Sequence, residues 1–254
     1  VQLNHQVLVA GAGGGGFGRV DCEYRIGKFE VTTAQWVEFM SAAFDRPRSE
    51  WIPGVEAPGI WGGVQVAPNT PGGARFGFSP AAAMRGVGDI TWRTAAVYCN
   101  WLHNGKSLNR EAFLSGAYDV SSFVTIPGSI YTDQRVRSPA ARYFIPTWNE
   151  WLKAVHYDPD KDGAGQGGWW TQPNGSDAPL AYGPPGVHVL AGGVDVIPGP
   201  DPNGPLAQAN SGWGNRTFPG LNPYAVRLGA YPDVQTPWGL LDAAGGTIGV
   251  VRRC

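Results

Sequence analysis

The residues best suited to nucleophilic, redox or metal chemistry are Cys22, Cys99 and Cys254, together with His5, His103, His156 and His188. Their spacing speaks against most of that chemistry. There is no C-x-x-C pair and no even cysteine set, so neither a zinc site nor a disulfide framework is indicated. The histidines show no H-x-x-x-H pairing. Ser176 and Asp177 are adjacent in sequence rather than arranged with a histidine, and no G-x-S-x-G string is present, so a serine hydrolase has no support. Asp158-Pro-Asp160-Lys-Asp162-Gly163 matches the first half of a calcium loop, but Trp169 stands where the bidentate acid belongs, which favours a solvated turn. Gly11-Ala12-Gly13-Gly14-Gly15-Gly16 satisfies G-x-G-x-x-G after the apolar run Val7–Ala10. That motif binds pyrophosphate only when its last glycine opens a helix. The following residues read as strand, so a flexible glycine-rich segment is expected.

The elements that would position any site can be read in order. Tyr24–Val31 has a strand pattern with a bulge expected at Gly27. Thr32 and Gln35 form a capping box, Val31 and Trp36 a hydrophobic staple, and Trp36, Phe39, Met40 and Ala43 one face of a helix ending near Phe44. A second helix is expected after Thr91, with Ala95, Tyr98, Cys99 and Leu102 as its stripe and Asn104-Gly105 as its stop. Arg110–Leu114 has the pattern of a short helix. Pro146, then the capping box Thr147 and Glu150, open a third helix whose apolar face is expected to be Trp148, Trp151, Leu152 and Val155. Short strands are expected at Val187–Leu190 and Leu228–Tyr231. Residues 45–88 and 163–239 are loop-like, and connections of this length in a compact domain tend to carry function.

Composition agrees with a loop-rich but ordered domain. Of 254 residues, 43% are hydrophobic and 15% charged, with Trp 11, Phe 10 and Tyr 9. Disordered chains are poor in aromatics. The net charge of -1 gives no bulk attraction to nucleic acid or to an acidic membrane. No apolar run reaches transmembrane length. Few helices, short strands and long loops make the fold class α+β.

Three strings in this order, YRIGKFEVTTAQWVEF (24–39), DITWRTAAVYCNWL (89–102) and FIPTWNEWLKA (144–154), resemble the formylglycine-generating enzyme, or sulfatase-modifying-factor, family. GGWWTQPNGSDAP at 167–179 and PWGLLDAAGG at 237–246 are similar to two further family segments. The resemblance divides the chain into a glycine-rich segment 1–21, a domain 22–246 and a tail 247–254 unlike the family, the pattern a frameshift or a truncated gene leaves. It implies a fold related to C-type lectins and a secreted, bacterial, extracellular, cell-surface or periplasmic setting. In active members it implies copper-dependent oxidation of a substrate cysteine by a cysteine pair. No cysteine here matches that pair, and copper would enter only with a catalytic region beyond this chain. The expectation is therefore a non-catalytic binding or scaffold module, monomeric, with an unknown protein or glycan ligand. The alternative is a fragment of the oxidase, with a non-haem iron relative further behind.

The resemblance also implies calcium ligands at Asn210 and Ser211, with Asn222 or Tyr224 adding carbonyls. Trp61, Trp169, Trp170 and Trp213 are the expected aromatic platforms for a ligand. Thr32, Gln35, Trp36, Cys99, Thr147, Glu150 and Trp151 are expected to define the fold.

Overall fold

The computed structural model describes residues 6–9, 18–66, 75–126, 130–131, 133–190, 199–210, 218, 222–244 and 251–252. In chain order the elements are β1 (Gln6–Val9), β2 (Tyr24–Gly27), α1 (Thr33–Phe44), β3 (Gly63–Gln65), β4 (Phe76–Phe78), α2 (Trp92–His103), α3 (Glu111–Leu114), β5 (Thr125–Ile126), β6 (Ile130–Tyr131), β7 (Tyr143–Phe144), α4 (Trp148–His156), β8 (Tyr157–Asp158), β9 (Gly168–Trp169) and β10 (Val251–Arg252). The class is α+β: among the described residues, four α-helices with short antiparallel strand pairs. The described residues form two compact units, 31–145 with 251–252, and 6–30 with 146–244. Both boundaries fall inside the 22–246 segment defined from sequence.

In the first unit, Thr32 starts α1. Its Oγ1 accepts from the Gln35 N–H at 3.2 Å, while Gln35 Oε1 accepts from the Thr32 N–H at 3.0 Å. Two of the helix's orphan donors are thereby satisfied reciprocally. α1 buries Trp36, Phe39, Met40 and Ala43. Thr91 caps α2 by accepting from the Thr94 N–H. The faces of α1 and α2 meet in an aromatic core, with Trp36 4.9 Å and Phe39 5.1 Å from Tyr98, ring centre to ring centre. Cys99 is sealed in that layer. Asn100 on α2 is also fully buried, yet it donates to the Phe113 and Tyr118 carbonyls and accepts from the Tyr118 N–H. A buried amide is tolerated because each of these groups is paired, and the side chain ties α3 and the chain after it to α2. Gly105, at φ +67°, turns the chain out of α2. At the end of this unit β7 pairs with β10, Phe144 opposite Val251.

In the second unit β1 pairs with β2, Val7 opposite Ile26. The strand expected over Tyr24–Val31 ends at Gly27, which terminates it rather than bulging it. Gln6↔Gly27 is the last rung among the described residues, and the Lys28 carbonyl accepts from the Leu241 N–H. Two other expected strands are absent. Val187–Leu190 makes only isolated bridges, His188 to Leu206 and Val189 to Pro200. Leu228–Tyr231 is a turn, because Gly229 sits at φ +77° and donates its N–H to Asp242. A small apolar cluster, Ala181, Val189, Ala207 and Tyr231, packs these loops together, and the Tyr231 hydroxyl donates to the Gly183 carbonyl at 2.7 Å.

The largest correction concerns α4. Its inward face carries Glu150, Lys153, Ala154 and Val155, whereas Trp148 is 64% exposed and Trp151 and Leu152 only half-buried. The cause is the segment 18–24, which covers the other side of the helix. Gly18 N–H donates to Asn149 Oδ1, the Tyr24 hydroxyl to the Glu150 carbonyl, and Lys153 Nζ to the Val20 carbonyl. Hydrogen-bonding partners thus outweigh apolar periodicity in deciding which face goes inside.

Candidate functional site

Several chemistry-bearing residues of the second unit gather along α4 and the β8–β9 hairpin that follows it. The capping box fixes where α4 begins: Glu150 Oε2 accepts from the Thr147 N–H at 2.7 Å, and Thr147 Oγ1 accepts from the Glu150 N–H at 3.3 Å. On the first exposed turn, Trp148 stacks on Trp151 with ring centres 5.3 Å apart and planes 17° from parallel. Trp151 meets the edge of His156 at 5.9 Å. His156 Nδ1 lies 3.0 Å from the Trp170 carbonyl, which can only accept, so the proton sits on Nδ1. Burial pushes the His156 pKa down, partly opposed by that hydrogen bond.

The hairpin continues the row. Tyr157 pairs with Trp169 across β8 and β9, and their rings lie 5.0 Å apart. Trp169 also lies over Gly18. A Cβ there would come within 2.1 Å of the indole, so this packing requires glycine, as does the local φ of +82°. Trp170 donates Nε1 to Asp158 Oδ2 at 3.0 Å and carries Lys161 Nζ above its face at 4.2 Å. Lys161 also pairs with Asp177 at 3.1 Å. Asp177 accepts from both the N–H and the hydroxyl of Thr171, and these bonds with Lys161 hold its carboxyl below the usual range. The acidic run at 158–163 is a turn in which two carboxylate oxygens accept from nearby backbone: Asp158 Oδ1 from Asp160 N–H, and Asp160 Oδ1 from Gly165 N–H.

The other expected site residues lie elsewhere. Trp61 belongs to the first unit, where it packs on Gly63 and stands 5.8 Å from Phe76. Asn210 is half-buried, and Asn222 is exposed with its Oδ1 accepting from the Tyr224 N–H. Tyr224 is exposed. Ser211 and Trp213 lie outside the described residues. Among the described residues no group of three or more His, Cys, Asp or Glu is placed to hold a metal ion. Cys22 is exposed, and Cys99 is buried with its thiol pKa pushed up by desolvation. A protonated, buried thiol is inert. Among the described residues no helix is long and apolar enough to cross a membrane.

No family model matches the chain, and no curated protein matches it. A solved structure described as that of CarF is 17% identical, with a TM-score of 0.42 over 100% of both chains. A likeness of that size carries neither fold nor function to this chain.

Local sequence does not reveal Trp148 and Trp151 as a surface pair, because both indoles fit the apolar stripe expected to face inward. The available signal was position. Trp148 is the first residue after the cap, on a turn where a helix end meets solvent.

Proposed function

We propose that the chain is a non-catalytic binding module related to the sulfatase-modifying-factor family, with a C-type-lectin-like fold, and that it holds a glycan on the aromatic row of α4 and the β8–β9 hairpin. One observation carries the reading: an exposed indole, Trp148, backed by a second indole on a helix whose register is fixed by a capping box. Such a ring is held still before a ligand arrives, which lowers the ordering cost of binding. Its free face suits the C–H side of a pyranose. The hydroxyls of a sugar would meet the polar groups that rim the row, Thr171 and Asp177 among them, both exposed. The oxidase alternative needs two accessible thiols, and the described residues offer one, Cys22.

The test is a glycan array followed by titration calorimetry on the best oligosaccharide. Trp148→Ala is expected to weaken binding by about tenfold or more, as a central aromatic anchor does. An array with no retained glycan, or a bound glycan indifferent to Trp148→Ala, overturns the reading. Calcium on the Asn210 loop is a separate part of the proposal: added calcium should raise the melting temperature, and no shift removes it. Stabilisation by copper would favour the oxidase instead.

A further inference from the structure

The first unit contains a buried cation, two of whose nitrogens have no acceptor among the described residues. Arg75, just before β4, is only 9% exposed, and its guanidinium carbon lies 4.6 Å from the ring centre of Phe44, 4.8 Å from Trp51 and 5.4 Å from Phe76. Aromatic faces attract a cation and offset part of its desolvation. They supply no lone pair in the guanidinium plane, however, and arginine has five donors and cannot shed its charge. Arg75 Nε and Nη1 are buried without a hydrogen-bond partner among the described residues, and so is Trp51 Nε1. Arg46 differs, since its Nη2 donates to the Ala42 and Leu108 carbonyls. A second guanidinium, Arg48, lies 5.4 Å from the Trp51 ring and is exposed. Neither Arg48 nor Arg75 takes part in an ion pair among the described residues.

We infer that Arg48, Trp51 and Arg75 form a binding site for a small oxyanion, a carboxylate or phosphate group. Two guanidiniums lie against the Trp51 ring, and the buried Arg75 and Trp51 donors left unsatisfied need an acceptor. An oxyanion supplies both the lone pairs and the countercharge. Arg48 at the solvent side gives the anion its first contact, and Trp51 links the exposed guanidinium to the buried one. The site stands apart from the glycan reading and does not depend on it.

The experiment follows the Trp51 indole N–H by nitrogen-15 NMR, with its resonance assigned through Trp51→Phe. Inorganic phosphate and acetate are titrated separately at constant ionic strength, with chloride as the balancing salt. In the unaltered protein the Trp51 resonance is expected to move saturably with one of the two oxyanions. Arg48→Gln, at an exposed position, should shift the titration midpoint upward by about tenfold, as loss of a charge-assisted bond does. Arg75→Lys keeps the charge but loses the planar fork and should do the same or more. A resonance unmoved up to about 50 mM, enough to fill a site of millimolar affinity, overturns the site. So does a titration that both variants leave unchanged. Phosphate binding without acetate binding assigns the site to phosphate groups, and the reverse to carboxylates.

Discussion

α1 and α4 start alike and end in opposite environments. Each follows a Thr cap whose partner three residues on completes a capping box, and each carries tryptophan on its first turn. α1 turns Trp36 inward, where it meets Phe39 and Tyr98. α4 turns Trp148 outward and puts Glu150 and Lys153 inside. The difference lies in what covers each helix. α1 meets α2, an apolar partner with rings at matching spacing. α4 meets the segment 18–24, which brings, beside the buried Val20 and Tyr24 side chains, a carbonyl for Lys153 Nζ and a hydroxyl for the Glu150 carbonyl. A helix start is thus a local property, and the choice of buried face belongs to the partner.

The strongest way to break this contrast is to remove the two indoles. Trp36→Ala leaves a cavity in a packed aromatic layer and should lower stability by about 3–5 kcal/mol. Trp148→Ala removes an exposed ring and should change stability by no more than about 0.5 kcal/mol. Denaturant midpoints measure both. If Trp148→Ala cost as much as Trp36→Ala, the ring would be core and the glycan surface would fall with it.

A milder perturbation compares the caps. Thr32→Ala and Thr147→Ala should each cost about 1 kcal/mol, the usual loss for a capping hydroxyl. The α4 cap is expected to cost more. Glu150 is buried, and it loses the 2.9 Å bond from the Thr147 hydroxyl together with the cap. Equal costs would mean that burial of Glu150 adds nothing to the box.

The same logic explains what could be read from the chain. Both capping boxes, the stripe of α2 and its stop at Asn104-Gly105 depend on neighbours within four residues, and the structure has each of them. The strand at Val187–Leu190 fails because its partners, Pro200 and Leu206, offer single bridges rather than a ladder. The α4 face is not legible locally because Gly18, Val20 and Tyr24, which bond to it, lie more than a hundred residues upstream. The Arg75 cage draws on its neighbour Phe76 and on Phe44 and Trp51, whose separate positions along the chain carry no hint that they converge on it. The Trp169–Gly18 contact is of the same kind. Gly18 follows the glycine run, and its φ and the indole above it make it a packing residue.

The smallest effect expected is a pH dependence confined to the α4 side of the comparison. Burial lowers the His156 pKa below its ordinary 6.5, so the folded protein holds the ring neutral where the unfolded chain takes up a proton. The unfolded state then binds more protons, and stability falls as pH drops below about 6.5. His156→Gln should remove that part of the acid loss while sparing the part due to His103, which desolvation and Arg142 also hold low. Denaturant midpoints at pH 7.5 and about pH 5.5, chosen to bracket the ordinary histidine range, should therefore converge partly in the variant. α1 carries no histidine, so Trp36→Ala should leave the pH slope as it is. An unchanged slope in His156→Gln would mean that the ring is solvated in the folded state. The bond from Nδ1–H to the Trp170 carbonyl would then not hold the hairpin against the helix, and the aromatic row would lose the link between Trp151 and Trp170.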